Sequence, residues 1–316
     1  MFKKFLVVLV ALFGVFTLTS CNRRTYMADG EFIAFKESLN YGAPQITVVK
    51  VTIENDEIKS FYIDCLQSTA VKDESNTVTS YAFNAKTKKE LRYDYRMHDG
   101  GRTMSEEDYK KYLKDNNKLE WFEQAELLEA YFLANGTDLQ TDDQGYITNV
   151  ASVTIVDSDY SLLAKQAVEN AKQGKVYSWL AYSEGTSIGI IWAEGTLKSD
   201  GTLKTLKLDE LQGKMSNGTF SWNAKTKQEL KYDYRMHDGG RTMSEEDYKK
   251  YLKDNNKLEW FEQADLLANY ALKNGVSGLT LDGTKLSSNK PQALAGVSIN
   301  VNHYIQVLGD LLNTWK

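Results

Sequence analysis

Thirty-three consecutive residues, Tyr93 to Ala125, recur without a single change as Tyr232 to Ala264. The offset of 139 residues is about the length of one compact domain. A chain built this way folds as two copies of one unit, and each copy tests what is claimed for the other. A side chain that carries chemistry in one copy is to be sought in both.

Each copy opens with strand signals. Gln45 to Ile53 is dense in β-branched residues, Glu54-Asn55-Asp56-Glu57 turns the chain, and Ile58 to Cys65 alternates. Phe61, Ile63 and Cys65 fall on one face of that second strand, Ser60, Tyr62 and Asp64 on the other. The second copy follows with Ile190 to Leu197, a turn at Lys198-Ser199-Asp200-Gly201, and Thr202 to Leu208. The repeated block then reads as helical. Ser105 and Ser244 cap acidic first turns, which suit the positive end of a helix. Asn116-Asn117 and Asn255-Asn256 break the pattern. Second helices are predicted over Lys118–Asn135 and Lys257–Asn274, stopped by Gly136 and Gly275. A last helix in each copy carries its apolar residues at helical spacing: Tyr160, Leu163, Ala164, Ala167 and Ala171, then Tyr304, Val307, Leu308 and Leu311. Ser158 and Asn302 are its predicted N-caps, and Gly174 ends the first of the two. The expectation is an α+β protein of two tandem repeats, each an antiparallel hairpin or sheet packed with several helices. The first repeat spans 21–174 and the second 175–316. No Pro- or Ser-rich linker separates them, which predicts two domains packed together.

Residues 1–20 belong to neither repeat. Lys3 and Lys4 precede an apolar run from Phe5 to Leu18, shorter than the roughly 20 residues of a membrane span. Leu18-Thr19-Ser20-Cys21 follows, and it resembles the lipobox of bacterial lipoproteins. That resemblance implies cleavage after Ser20, acylation of Cys21, and a chain held at the outer face of the cell membrane. An ordinary secretory signal or an uncleaved anchor is the alternative. Loss of the two lysines takes the formal charge from −5 to −7. An acidic chain of this kind argues against nucleic acid and against a polybasic grip on anionic lipid.

Few clusters have the composition of a reactive site. Cys65 is the one cysteine besides Cys21, and Glu210 stands in its place in the second copy, so Cys65 reads as a buried apolar residue. His98-Asp99-Gly100-Gly101 and its twin at His237 are too few ligands for a metal and read as a turn with a local His–Asp contact. Asp142-Asp143-Gln144-Gly145 resembles part of a calcium loop, but both key carboxylates are missing and the second copy holds nothing comparable. Trp121 and Trp260 fall at helical spacing among apolar residues, which favours core over a stacking platform. The segments before the last helices are the most informative. Val150-Ala151-Ser152-Val153-Thr154-Ile155 and Leu294-Ala295-Gly296-Val297-Ser298-Ile299 read as short strands of small residues. Each sets a hydroxyl six positions ahead of a tyrosine, just before a capped helix. Backbone N–H groups at a helix start suit a phosphate; the other reading is a junction kept small for packing.

These segments, with the Val/Ile hairpin, Asp29-Gly30-Glu31-Phe32 and the final helix, resemble the FMN-binding domain family. Its members include surface lipoproteins and a subunit of a sodium-pumping respiratory complex. There a Ser/Gly-Gly-Ala-Thr motif carries FMN, linked by a transferase through its phosphate to the threonine. The resemblance implies Thr154 as the attachment residue of the first copy and Ser298 as that of the second, with Ser152, Val153, Gly296 and Val297 beside them. It implies covalent FMN, a flavin transferase and a redox partner at the membrane, in a protein that carries electrons rather than one with a substrate of its own. Val153 and Val297 replace the family's alanine, and their branching is expected to hinder the transferase. The acidic residue usual six positions earlier is Thr148 or Gln292. These departures favour the rival reading, a non-redox surface lipoprotein that binds or adheres without flavin.

Overall fold

The structure, a computed structural model, describes residues 24–185 and 187–315. The expected signal segment and the expected lipid anchor Cys21 lie outside them. The first repeat contains β1 (Gly30–Asn40), β2 (Ala43–Glu54), β3 (Glu57–Lys72) and β4 (Val78–Phe83), then α1 (Lys88–Leu91), α2 (Glu106–Asp115), α3 (Trp121–Asn135) and α4 (Tyr160–Gln173). The second repeats the order: β5 (Lys175–Glu184), β6 (Ser187–Leu197), β7 (Leu203–Ser216), β8 (Thr219–Trp222), α5 (Lys227–Leu230), α6 (Glu245–Asp254) and α7 (Trp260–Asn274) follow in turn. A short ribbon, β9 (Leu281–Asp282) and β10 (Lys285–Leu286), precedes α8 (Asn302–Thr314). The protein is therefore α+β, with two tandem antiparallel sheets in the strand orders β1-β2-β3-β4 and β5-β6-β7-β8.

The predicted hairpins form the centre of each sheet. Val49, Val51 and Ile53 of β2 and Phe61, Ile63 and Cys65 of β3 point to one side and are buried. Asn55 and Asp56 both take positive φ (53° and 62°), the conformation a two-residue hairpin turn requires. The tip is held from outside: Asp56 accepts the amides of Thr25 and Tyr26, and Asp29 accepts those of Asn55 and Asp56. α3 covers β3, while α4 crosses β1 and β2. α7 and α8 do the same on the second sheet.

The opposite faces of the two sheets meet each other. Ile46, Ile190 and Leu211 are buried there among Phe35, Trp179, Trp192 and Trp222. Tyr81 packs edge-on against Phe220 at 5.9 Å. Trp222 Nε1 donates to the Ser38 carbonyl at 3.1 Å, and the Phe83 amide donates to Ser183 Oγ at 3.0 Å. The layers thus run helix, sheet, sheet, helix. β5 begins at Lys175, directly after Gly174, whose φ of 68° closes α4 in the left-handed conformation that glycine adopts at no steric cost.

The repeated block has a shared internal logic. α2 is capped by Ser105 and α6 by Ser244, as the sequence predicts. α3 and α7 begin at Trp121 and Trp260, three residues later than predicted, because fully buried Glu120 and Glu259 act as their N-caps. Glu120 also accepts the amide of Met97 and the hydroxyl of Tyr109, and Glu259 treats Met236 and Tyr248 identically. One carboxylate therefore ties a loop and two helices together. The predicted caps of the last helices are displaced as well. Asp159 and Val301 hold those positions without a side-chain bond, and in the first repeat Asp157 Oδ1 instead accepts the amide of Ser161.

Candidate functional site

The segments 150–155 and 294–299 are not strands. The first is a turn closed by the Val153 amide on the Val150 carbonyl, in which Ser152 takes φ 64°; the second leaves a 3-10 turn, Gln292–Leu294, at its first residue. Gly296 approaches the repeated block so closely that a Cβ there would lie 2.7 Å from Leu258 Cδ1. Both segments are hung from the same residue type. The Thr154 amide donates to Gln124 Oε1 at 2.7 Å, and the Ser298 amide donates to Gln263 Oε1 at 2.7 Å. The two hydroxyls reach the same oxygens at 3.3 and 3.4 Å. Buried Gln124 and Gln263 thus give Thr154 and Ser298 equivalent places, with both residues exposed. Val153 and Val297 turn the other way and are buried in the core. Their branched side chains do not cover the hydroxyls.

The surroundings of the two hydroxyls differ. Ser298 lines a cleft of about 790 Å³, within the usual size of small-molecule sites. The cleft runs between α8, β6, β7 and the loop before α6. Ile191, Trp260 and Tyr304 supply its apolar wall, and Arg235, Arg241 and Lys285 supply positive charge. Arg241 is paired at the surface with Asp238 at 2.9 Å. His303 sits over the Tyr182 ring at 5.7 Å and 3.5 Å from Glu184. The start of α8 carries no acidic residue, whereas the start of α4 has Asp157 bound to it. An anion at a helix start is therefore better accommodated beside Ser298 than beside Thr154.

The floor of the cleft is a buried ionic cluster. Glu210 Oε1 accepts from Lys227 Nζ at 2.9 Å and from the Tyr182 hydroxyl at 2.7 Å, and Oε2 accepts from the Tyr304 hydroxyl. Lys227 also lies over the rings of Tyr234 and Trp260, at 4.8 and 5.2 Å. Burial and the adjacent Glu210 carboxylate push both Tyr182 and Tyr304 far above the ordinary tyrosine range. They remain hydroxyl donors. Gly189 makes this possible: a Cβ there would meet the Tyr182 ring at 2.7 Å.

The first repeat fills the same rows differently. Ser38, Gln45 and Gln67 replace Tyr182, Gly189 and Gln212, and they bond to one another. Cys65 holds the place of Glu210. Its preceding aspartate, Asp64, accepts the Cys65 and Lys89 amides as Asp209 accepts those of Glu210 and Gln228. Cys65 is buried, as the sequence predicts, and burial pushes its thiol up to about 11.

The remaining sequence candidates resolve as structure. His98 Nε2 meets the Leu119 carbonyl at 3.0 Å, and Asp99 pairs with Arg102, so the expected His–Asp contact is absent in both copies. Once the ring is pinned to a carbonyl, the aspartate is left to the nearest arginine. Asp142 closes a local turn by accepting the amides of Gln144 and Tyr146. In the second repeat the segment before the last helix holds the short β9–β10 ribbon, with the single acidic residue Asp282 in it. Trp121 and Trp260 are core residues whose Nε1 atoms donate to Tyr160 and Tyr304 at 3.3 and 3.0 Å.

The sequence did not single out Lys88, Lys227, Gln124 or Gln263, and it matched Glu210 to Cys65 without giving it a role. A signal was present: Asn84-Ala85-Lys86-Thr87-Lys88 recurs as Asn223-Ala224-Lys225-Thr226-Lys227, so the repeated region starts upstream of Tyr93. No helix among the described residues is long and apolar enough to cross a membrane. No family model, curated protein or solved structure matches this chain.

Proposed function

We propose that this chain is a membrane-anchored extracytoplasmic lipoprotein whose repeats carry FMN, and that it serves as an electron carrier. The observation that supports this reading best is the position of Ser298. Its hydroxyl stands exposed at the rim of a cleft that combines an aromatic and aliphatic wall with Arg235, Arg241 and Lys285. The residues fit the cofactor in kind: an anionic group matches the arginines and the bare start of α8, and a planar ring matches Trp260, Tyr304 and Ile191. FMN would supply the electron chemistry. The protein's own residues attach, orient and shield it. Ser298 is the tether in the second repeat and Thr154 the tether in the first, each positioned by its glutamine. The partners on this reading are a flavin transferase and a redox protein at the same membrane.

The test is in-gel flavin fluorescence on the denatured chain, co-produced with a flavin transferase, beside Thr154→Ala and Ser298→Ala variants. A fluorescent band that weakens in Ser298→Ala and disappears in the double variant supports the reading. A dark wild-type band contradicts it. The second reading is a non-redox binding module, in which the same cleft takes a soluble anionic ligand. The cation-rich lining favours it as much as it favours FMN, and it predicts a colourless protein.

A further inference from the structure

A second cleft, of about 320 Å³, lies where β1 and α4 of the first repeat meet β5 and β6 of the second. Unlike the cleft beside Ser298, it is lined by no lysine, arginine or histidine. Its wall is apolar and aromatic, built from Ala34, Phe35, Tyr177, Ile190 and Trp192. The Phe35 ring links the other two, with centres 5.9 Å from Tyr177 and 5.8 Å from Trp192, both edge-on. The one buried amide on the wall is already spent. Asn170 donates to the Ile33 carbonyl at 2.8 Å and accepts from Gln166 at 2.9 Å.

Glu37 on β1 and Glu194 on β6 flank the rings, and both are half-buried. Among the described residues neither forms an ion pair. The neighbouring lysines are committed elsewhere, Lys36 to Asp159 and Lys50 to Glu31. Lys207 stands opposite Glu194 on β7, but it is exposed and makes no ion pair with it. Tyr177 faces Glu194 across the β5–β6 ladder. Burial and that carboxylate hold its hydroxyl above the ordinary tyrosine range, so it stays a donor.

Half-buried carboxylates attract a cation with little screening, and aromatic faces attract the same charge. Elsewhere the protein covers such rings with its own cations: Lys88 lies over Tyr95 and Trp121, and Lys227 over Tyr234 and Trp260. No lysine or arginine among the described residues covers Phe35, Tyr177 or Trp192. The apolar wall then selects among cations. A bare metal ion needs more oxygen ligands than two carboxylates on an aromatic wall supply. A methylated ammonium suits rings and carboxylates together.

We propose that this cleft binds a small organic cation, a methylated ammonium, between the rings of Phe35, Tyr177 and Trp192 and the carboxylates of Glu37 and Glu194. The site is separate from the Ser298 cleft and does not depend on flavin. It occurs once per chain. Val48 and Lys50 hold the places of Trp192 and Glu194 in the first repeat, so that sheet offers neither the ring nor the charge.

The experiment is calorimetric titration of the full chain with choline chloride and with tetramethylammonium chloride, against sodium chloride at equal ionic strength. One saturable site per chain is expected for both. Glu37→Gln combined with Glu194→Gln keeps the shape and removes the charge, and it is expected to weaken binding at least about tenfold. Trp192→Leu is expected to weaken it about tenfold; the carboxylate variant decides the matter should Trp192→Leu fail to fold. Ammonium chloride, without methyl groups, is expected to bind more weakly than choline. So is phosphocholine, whose phosphate the two carboxylates repel, which separates a free cation from a lipid head group. Glu74→Gln, on the exposed β3–β4 turn, is expected to bind as the wild type does. No saturable heat in the wild type, unchanged binding in the carboxylate variant, equal binding of ammonium, or tighter binding of phosphocholine than of choline would each overturn the proposal.

Discussion

Glu210 lies 2.9 Å from Lys227 beneath the Ser298 cleft, and the residue at its place in the first repeat is Cys65. That difference changes the charge of a buried position, and the neighbouring rows change with it, from Ser38, Gln45 and Gln67 to Tyr182, Gly189 and Gln212. Three groups meet at the Glu210 carboxylate in the second repeat, Lys227, Tyr182 and Tyr304, and the cluster is interdependent: the lysine relies on the carboxylate, the carboxylate on the two tyrosines, and Tyr182 on the missing side chain of Gly189.

Breaking that cluster should cost more than its single hydrogen bonds suggest. Lys227→Met leaves a buried carboxylate without its cation, and a loss of about 3–5 kcal/mol is expected. Replacing both partners, Lys227→Met with Glu210→Leu, should recover a large part of it. Urea unfolding of the three variants measures this; additive losses would show that the pair does not act as a unit.

Asp209 gives the fold a pH dependence of unusual sign. Burial pushes its carboxyl up to about 6, against roughly 3.9 in an unfolded chain. Between these values the folded state holds the proton more tightly, so this group's contribution to stability falls as pH rises through the window. Asp209→Asn should remove that slope. The stability difference, variant minus wild type, is expected to grow by up to about 2 kcal/mol between pH 4 and pH 6.5. Thermal melts across that range check it.

Gln263 holds the Ser298 segment through amides of both Ser298 and Ile299. Gln263→Ala should cost about 1–3 kcal/mol, the penalty for unpaired buried amides. It should also loosen the position of the hydroxyl. Faster amide exchange confined to residues 294–300 would show this, whereas protection equal to wild type would mean the segment is held by packing alone.

Trp315 closes the molecule from the far end of the second repeat. Its ring lies 5.0 Å from that of Phe32 and against Gly30 on β1, where an added Cβ would come within 2.5 Å. Trp315→Ala is expected to cost about 3–5 kcal/mol. Because the contact joins the repeats, both sheets should melt together in the wild type. Separate transitions in the variant, followed by calorimetry, are the outcome to look for.

The sequence and the structure agree where local chemistry decides. The β-branched run Ile46–Ile53, the Asn55-Asp56 turn, the Ser105 and Ser244 caps and the terminal Gly174 each carry their own physical signal. The repeated block doubled that signal. Disagreement begins where distant groups decide. Gln124 and Gln263 reach from a helix to hold a loop, so Thr154 and Ser298 could be matched by spacing but the loop could be misread as strand. Glu120 starts α3 three residues late because it serves Tyr109 and Met97 as well as the helix. The Glu210 cluster spans β5, β7, α5 and α8, elements no sequence window contains. Its trace was the difference between Cys65 and Glu210, visible in the sequence and without meaning until Lys88 and Lys227 were seen beside it.

The most direct test of flavin attachment is peptide mapping by mass spectrometry of the chain co-produced with a flavin transferase. The account predicts an FMN phosphoester on the peptide that contains Ser298, with the Thr154 peptide modified to a lesser extent. Both peptides found only unmodified, in a protein without visible absorption, would contradict it.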